Sequence, residues 1–201
     1  MKGVLIIAVV AVALGPLVLG QEGSPPNSLE RPFAEGGVVR MRLSSGDYTV
    51  RAGRNDHMFV RWQTENASQT KDLKKIKVHA DVLGKVATIR TEGPTKDARI
   101  LIEIPAHSDL YLRLRAGGVR IAGIEGNKDV SMTAGDLKIE VLPASYSQVH
   151  ASVTFGDLRA QPLGVSRDGI RNSLDWTGPG KYTLRASLFA GDLILADLLR
   201  P

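Results

Sequence analysis

Thr133-Ala134-Gly135-Asp136-Leu137-Lys138-Ile139 decides how this chain is read, because its core phrase recurs. A small or aromatic residue precedes Gly-Asp or Gly-Gly, and two apolar residues follow with one position between them. The same order stands at Ser45-Gly46-Asp47-Tyr48-Thr49-Val50, Ala116-Gly117-Gly118-Val119-Arg120-Ile121, Phe155-Gly156-Asp157-Leu158-Arg159-Ala160 and Ala190-Gly191-Asp192-Leu193-Ile194-Leu195, making five copies in 201 residues. Glycine tolerates positive φ and aspartate hydrogen-bonds neighbouring backbone, so each phrase predicts a bend between two strands.

Outward from these bends the pattern has period two. Val39, Met41 and Leu43 alternate with Arg40 and Arg42; Met58, Val60 and Trp62 alternate with Phe59 and Arg61. Ile76, Val78, Ala80 and Val82, then Ile100, Ile102 and Ile104, then Leu110, Leu112 and Leu114 continue it. The mature chain shows no convincing helical period, so the fold is read as all-β. Two architectures fit. In an antiparallel hairpin meander or sandwich, Gly-Asp is a two-residue turn and Ala134 pairs with Leu137, Met132 with Ile139 and Val130 with Val141. In a β-solenoid the phrase marks one corner of successive coils, and Gly117, Gly135 and Gly156, spaced 18 and 21 apart, stack with Ile121, Ile139 and Ala160 in one inward column. Periodicity alone does not separate them.

Residues 1–20 read as a secretory signal peptide. Lys2 opens a stretch that is apolar from Val4 to Leu14, Gly15-Pro16 breaks it, and Val18-Leu19-Gly20 suits cleavage before Gln21. An uncleaved anchor is the rival, but the apolar stretch is short for a bilayer, so no stable transmembrane segment is expected after cleavage. Residues 21–37, with Pro25, Pro26 and Pro32, are expected to be a flexible spacer, and 38–201 a single domain. With no cysteine, that domain has no disulfide and no thiolate metal site. The formal charge of +5 falls to +4 with the loss of Lys2, far from the basic clusters that mark nucleic-acid binders.

The run Ile100-Leu-Ile-Glu-Ile-Pro105, then Asp109-Leu-Tyr-Leu-Arg-Leu-Arg115, the Gly-Gly-Val-Arg-Ile phrase and Thr133 to Ile139 resemble the bacterial putative-adhesin family of exported repetitive β domains. The resemblance spans about residues 38 to 195. It implies a β-solenoid and an extracytoplasmic structural or binding module, periplasmic, surface-held or secreted. The interruption between Gly164 and Gly191 is read as a long loop and a closing cap.

Little in the sequence speaks for catalysis. His57, His79, His107 and His150 are scattered, no Gly-x-Ser-x-Gly elbow occurs, and the glycines lead into strands rather than phosphate-cradling helices. No enzyme activity, cofactor or metal is assigned. Asp47, Asp136, Asp157 and Asp192 are read as turn aspartates capping their own backbone, with calcium between stacked corners as the rival. Among the aromatics only Tyr111 falls on an outward register, and Trp62 continues an inward set. The candidate binding residues are Arg120, Lys138 and Arg159, which stand at equivalent outward positions of three phrases. If corners stack in chain order, they form a basic column for an anionic envelope glycan or an acidic protein partner. A polysaccharide-active β-helical enzyme and an envelope ligand-binding or regulatory domain are the alternative functions.

Overall fold

A computed structural model describes residues 27–64, 75–93 and 95–198. The signal peptide expected over 1–20 and the start of the expected spacer lie outside the described residues. The strands are β1 (Ser28–Pro32), β2 (Val38–Leu43), β3 (Gly46–Ala52), β4 (His57–Thr64), β5 (Lys77–Leu83), β6 (Val86–Glu92), β7 (Thr95–Ile104), β8 (Asp109–Ala122) and β9 (Lys128–Val141), followed by β10 (Tyr146–Phe155), β11 (Leu158–Ala160), β12 (Val165–Arg167), β13 (Ile170–Thr177), β14 (Tyr182–Ala190) and β15 (Leu193–Asp197). The fold is all-β. The described residues outside strands make only turns and two single-turn 3-10 segments.

The strands form one mixed sheet that turns a corner. β8 and β9 are long because each runs through its glycine phrase, at Gly117 and Gly135, and contributes to two half-sheets. The first half-sheet runs β5-β6-β2-β8-β9-β14-β10-β13 and the second β1-β4-β7-β3-β8-β9-β15-β11-β12. Pairing is parallel through the middle of both and antiparallel at their ends. Residues 128–141 therefore do not fold back on themselves. Ala134 faces Ala116 and Ala190, and Leu137 faces Val119 and Leu193, instead of facing each other.

The corners stack in register. Gly46 pairs with Gly117 and Gly117 with Gly135. A Cβ built on Gly135 would meet the Gly117 carbonyl, one on Gly191 the Gly135 carbonyl, and one on Gly156 the Gly191 carbonyl. The ladder therefore runs Gly46, Gly117, Gly135, Gly191, Gly156. This corrects the expectation that Gly156 follows Gly135. After β11 the chain passes outward to form the antiparallel edge strands β12 and β13, then returns to slot β14 and β15 between β9 and β10–β11.

Each corner shifts the phase of the apolar alternation. In β8 the inward residues are Leu110, Leu112 and Leu114 before Gly117, then Val119 and Ile121 after it, all at most 4% exposed. The same slip occurs in β9, from Val130 and Met132 to Leu137, Ile139 and Val141. Both half-sheets thus turn their apolar rows to one shared core. One row, buried throughout, runs Val60, Ile102, Val50, Ile121, Ile139, Leu195, Ala160. It holds the expected column of Ile121, Ile139 and Ala160, with Leu195 inserted. Burying one such aliphatic side chain contributes about 1.5–3 kcal/mol.

The spacer expected over 21–37 does not extend through the described part. Ser28–Pro32 pairs antiparallel with β4, and Phe33 is buried. Pro32 is tolerated because it ends an edge strand, where a missing N–H costs no ladder bond. Trp62 is half-buried and packs on the core, as its inward register suggested.

Candidate functional site

The stacked corners place the predicted aspartates in a line. Gly118 faces Asp136, and the backbone ladder continues through Asp192 to Asp157, since Leu137 N–H donates to the Asp192 carbonyl and Leu193 N–H to that of Asp157. Gly118 has a local reason to lack a side chain: the Asp47 carboxylate from the next rung accepts its N–H at 2.9 Å. A Cβ there would crowd that oxygen. The Asp47 cap thus reaches the neighbouring strand rather than its own turn. Asp157 is held by the Arg159 guanidinium at 2.5 Å. Among the described residues no group of three or more His, Cys, Asp or Glu side chains is placed to hold a metal ion.

Arg120 and Lys138 are direct neighbours on β8 and β9. Arg159 is not the next residue along: Lys138 faces Ile194, and Ile194 faces Arg159. The continuous three-cation column is therefore corrected to a pair and an isolated arginine. Two of the three cations are also already paired, Arg120 with Glu140 at 2.7 Å and Arg159 with Asp157. Such half-exposed pairs stabilise by about 1 kcal/mol at most.

What the sequence did not reveal is that Arg120 and Lys138 open onto a depression of about 660 Å³ shared with Arg51, Arg61 and Arg99. Register explains this. Thr49 faces both Arg120 and Leu101, and Leu101 faces Arg61, so residues far apart in sequence meet on one outward face. Arg51 is bound to Glu103 at 2.5 Å, whereas Arg61 and Lys138 form no ion pair among the described residues.

The histidines are less isolated than their spacing implied. His107 lies 3.4 Å from Glu35 and 3.7 Å from Glu125, and His150 lies 2.6 Å from Asp175. All these pairs are solvent-facing. The aromatic reading also needs correction: besides Tyr111, Phe155 and Phe189 are about half exposed and meet edge to face with centroids 5.4 Å apart.

Among the described residues one charged group is buried. Lys128, 2% exposed, donates from Nζ to the Ile124 carbonyl at 2.6 Å and also to the Tyr146 hydroxyl. Burial pushes its pKa down to about 7, against the pull of Glu125 and Asp109. Burial likewise pushes the Tyr146 phenol well above its usual range. Beside Lys128, the Asn127 N–H and side-chain amide donate to Asp109, while the Asn127 side-chain oxygen accepts from the Thr183 N–H. This polar staple joins β8, β9, β10 and β14 at the end opposite the glycine corners.

No family model and no curated protein matches the chain. The fold is shared with a solved structure. A protein from Clostridium sporogenes described as a putative cell adhesion protein superposes with a TM-score of 0.54 at 13% identity, covering 85% of this chain and 98% of its own. A putative adhesin from Parabacteroides merdae aligns over 66% of this chain and 65% of its own at 9% identity, with a TM-score of 0.21. The first likeness speaks for the fold alone, and the second carries no argument.

Proposed function

We propose that the protein is an exported, non-enzymatic binding module of the cell envelope, an adhesin-like surface offered to an envelope polymer or protein partner. In this reading its stacked rungs are a short β-solenoid. The carrying observation is the in-register parallel ladder, which sets one outward side chain per rung in straight lines about 4.8 Å apart. A surface with that regularity suits a partner that is itself repetitive. The fold likeness to a protein described as a putative cell adhesion protein supports the same reading. No helix of the described residues is long and apolar enough to cross a membrane, and the leader supplies the route outward.

The test is export followed by binding. Expressed with its own leader in a bacterial host, the protein should leave the cytoplasm, start at Gln21 by intact mass, and sediment with isolated envelope material without degrading it. A chain retained in the cytosol with Met1 to Gly20 intact, or one that hydrolyses the envelope fraction, overturns the reading.

A further inference from the structure

A second outward face, on the first half-sheet, carries a line of residues that the chain order conceals. His79 on β5 faces Arg90 on β6, Arg90 faces Arg42 on β2, and Arg42 faces Arg113 on β8. The same line continues without a break from Arg113 to Ser131 on β9, Ser187 on β14, Ser152 on β10 and Ser173 on β13. Every one of these side chains is exposed or partly exposed, while the adjacent row, including Ile89, Met41, Leu112 and Val130, is buried. The line crosses eight strands, about 34 Å at the usual strand spacing.

Its two halves differ in chemistry. The first is cationic, and Arg42 and Arg90, directly opposite each other, form no ion pair among the described residues. Like charges placed so are destabilising in the free protein, and an anion laid along them offsets that cost. Arg113 is pinned, its guanidinium 3.0 Å from the Asp129 carboxylate and 3.0 Å from the Leu112 and Asp129 carbonyls. Beside this half lies a depression of about 800 Å³ bordered by Arg42, Arg90 and Arg115, with Glu92 on its wall. The second half offers hydroxyl groups, each both donor and acceptor.

We propose that this line binds one linear anionic polysaccharide, with the polymer's acidic groups on Arg90, Arg42 and Arg113 and its sugar hydroxyls on the serine half. The proposal rests on the binding-module reading and names the face and the class of partner. Charge complementarity argues for an anion, and the layout argues for a sugar polymer. The neighbouring rows mix signs, with Arg40, Asp129 and Arg185 on one side and Arg115 and Glu92 on the other, so the facing like charges lie along the Arg90–Arg42 line itself. A single-stranded nucleic acid needs successive stacking platforms, and beside the cationic half stands one aromatic, Tyr111, with the Arg40 guanidinium 5.8 Å from its ring centroid. That single ring faces Arg40 and Asp129 across the strands and makes no run of platforms.

The test uses the mature protein with polygalacturonate (carboxylate) and dextran sulfate (sulfate) as probes. Neutral dextran, a single-stranded oligonucleotide and anionic phospholipid vesicles are the comparisons. Native protein should bind the carboxylate or sulfate polymer, with affinity falling steeply as salt shortens the screening length to about 8 Å or less. Arg42→Glu with Arg90→Glu should lose at least tenfold in affinity, whereas Arg31→Glu with Arg54→Glu, exposed on β1 and in the β3–β4 turn of the other half-sheet, should bind as the native protein does. Arg42→Gln with Arg90→Gln removes repulsion without adding charge, so it should fold at least as stably and still lose severalfold. Ser187→Asp with Ser152→Asp should also weaken binding, which shows that the polymer runs onto the hydroxyl half. Native-like binding by either Arg42/Arg90 variant overturns the proposal. So does binding of the oligonucleotide or vesicles but neither polysaccharide, and so does failure of both polysaccharides to bind. Failure with these probes alongside binding to whole envelope material removes this proposal and leaves the broader reading standing.

Discussion

Gly135→Ala is expected to destabilise the protein severely. Gly135 sits at φ +116°, a backbone conformation that costs an L-residue about 1–3 kcal/mol by itself. Its missing Cβ also faces the Gly117 carbonyl oxygen of the next rung, close enough that the added carbon and that oxygen cannot both stay in place. The neighbour cannot yield, because Gly117 is itself held against Gly46 and its strand pairs on both sides. Strain and collision together should cost at least about 4 kcal/mol, a large part of the stability of an ordinary domain. Circular dichroism and urea unfolding provide the measurement. A Gly164→Ala control, at φ +72° with nothing near its Cβ direction, carries backbone strain alone and should lose far less. Equal losses at the two positions would mean that close rung contact is not what the glycines serve.

The second large effect concerns Lys128. Its folded-state pKa of about 7 lies below the unfolded value near 10.4, so between those values the unfolded chain binds the extra proton. Stability must then rise with pH by up to about 1.4 kcal/mol per unit over that window. Above about pH 10 the sign reverses, because the Tyr146 phenol keeps its proton in the fold and loses it in the unfolded chain. Unfolding free energies for the native protein should therefore climb by roughly 3 to 4 kcal/mol from pH 7 to pH 10, after subtracting the same series for Lys128→Met. The variant also leaves the Ile124 carbonyl and Tyr146 hydroxyl without their donor, which lowers its stability by a pH-independent amount below pH 10. Parallel pH series for the two proteins would contradict the assignment of a buried, weakly basic amine.

The strands were legible because alternation is a local signal: Leu110, Leu112 and Leu114, or Ile100, Ile102 and Ile104, announce a buried face without any partner. The choice between hairpin and stacked corner was not legible. Both need the apolar phase to slip across Gly-Asp, as it does from Met132 to Leu137, and nothing in 128–141 says whether the halves face each other or their neighbours. Rung order was hidden for a related reason. Gly156 follows Gly135 in sequence, but Gly191 lies between them because the chain builds its outer edge before filling the inner slot. The basic residues divide along the same line. Arg120 and Lys138 were found from the repeat because their strands are consecutive and in register. The intrusion of Ile194 was not, nor was the meeting of Arg42 with Arg90, which depends on pairing between β2 and β6 across the intervening strands. Pro32 misled for a different reason: a breaker in mid-sheet is acceptable at the end of an edge strand.

Cysteine cross-linking tests the stacked, re-ordered rungs most directly, since the chain has no cysteine of its own. Lys138 and Ile194 face each other on paired strands, as do Ile194 and Arg159, whereas Lys138 and Arg159 are separated by the whole of β15. Neighbouring strands hold facing residues about 4.8 Å apart, within disulfide reach, and two strands' separation of about 9.6 Å lies beyond it. Under mild oxidation, Lys138→Cys paired with Ile194→Cys should cross-link, as should Ile194→Cys paired with Arg159→Cys, while Lys138→Cys paired with Arg159→Cys should stay reduced. Ready cross-linking of the Lys138 and Arg159 positions, with none between Lys138 and Ile194, would contradict the rung order on which the proposed binding face depends.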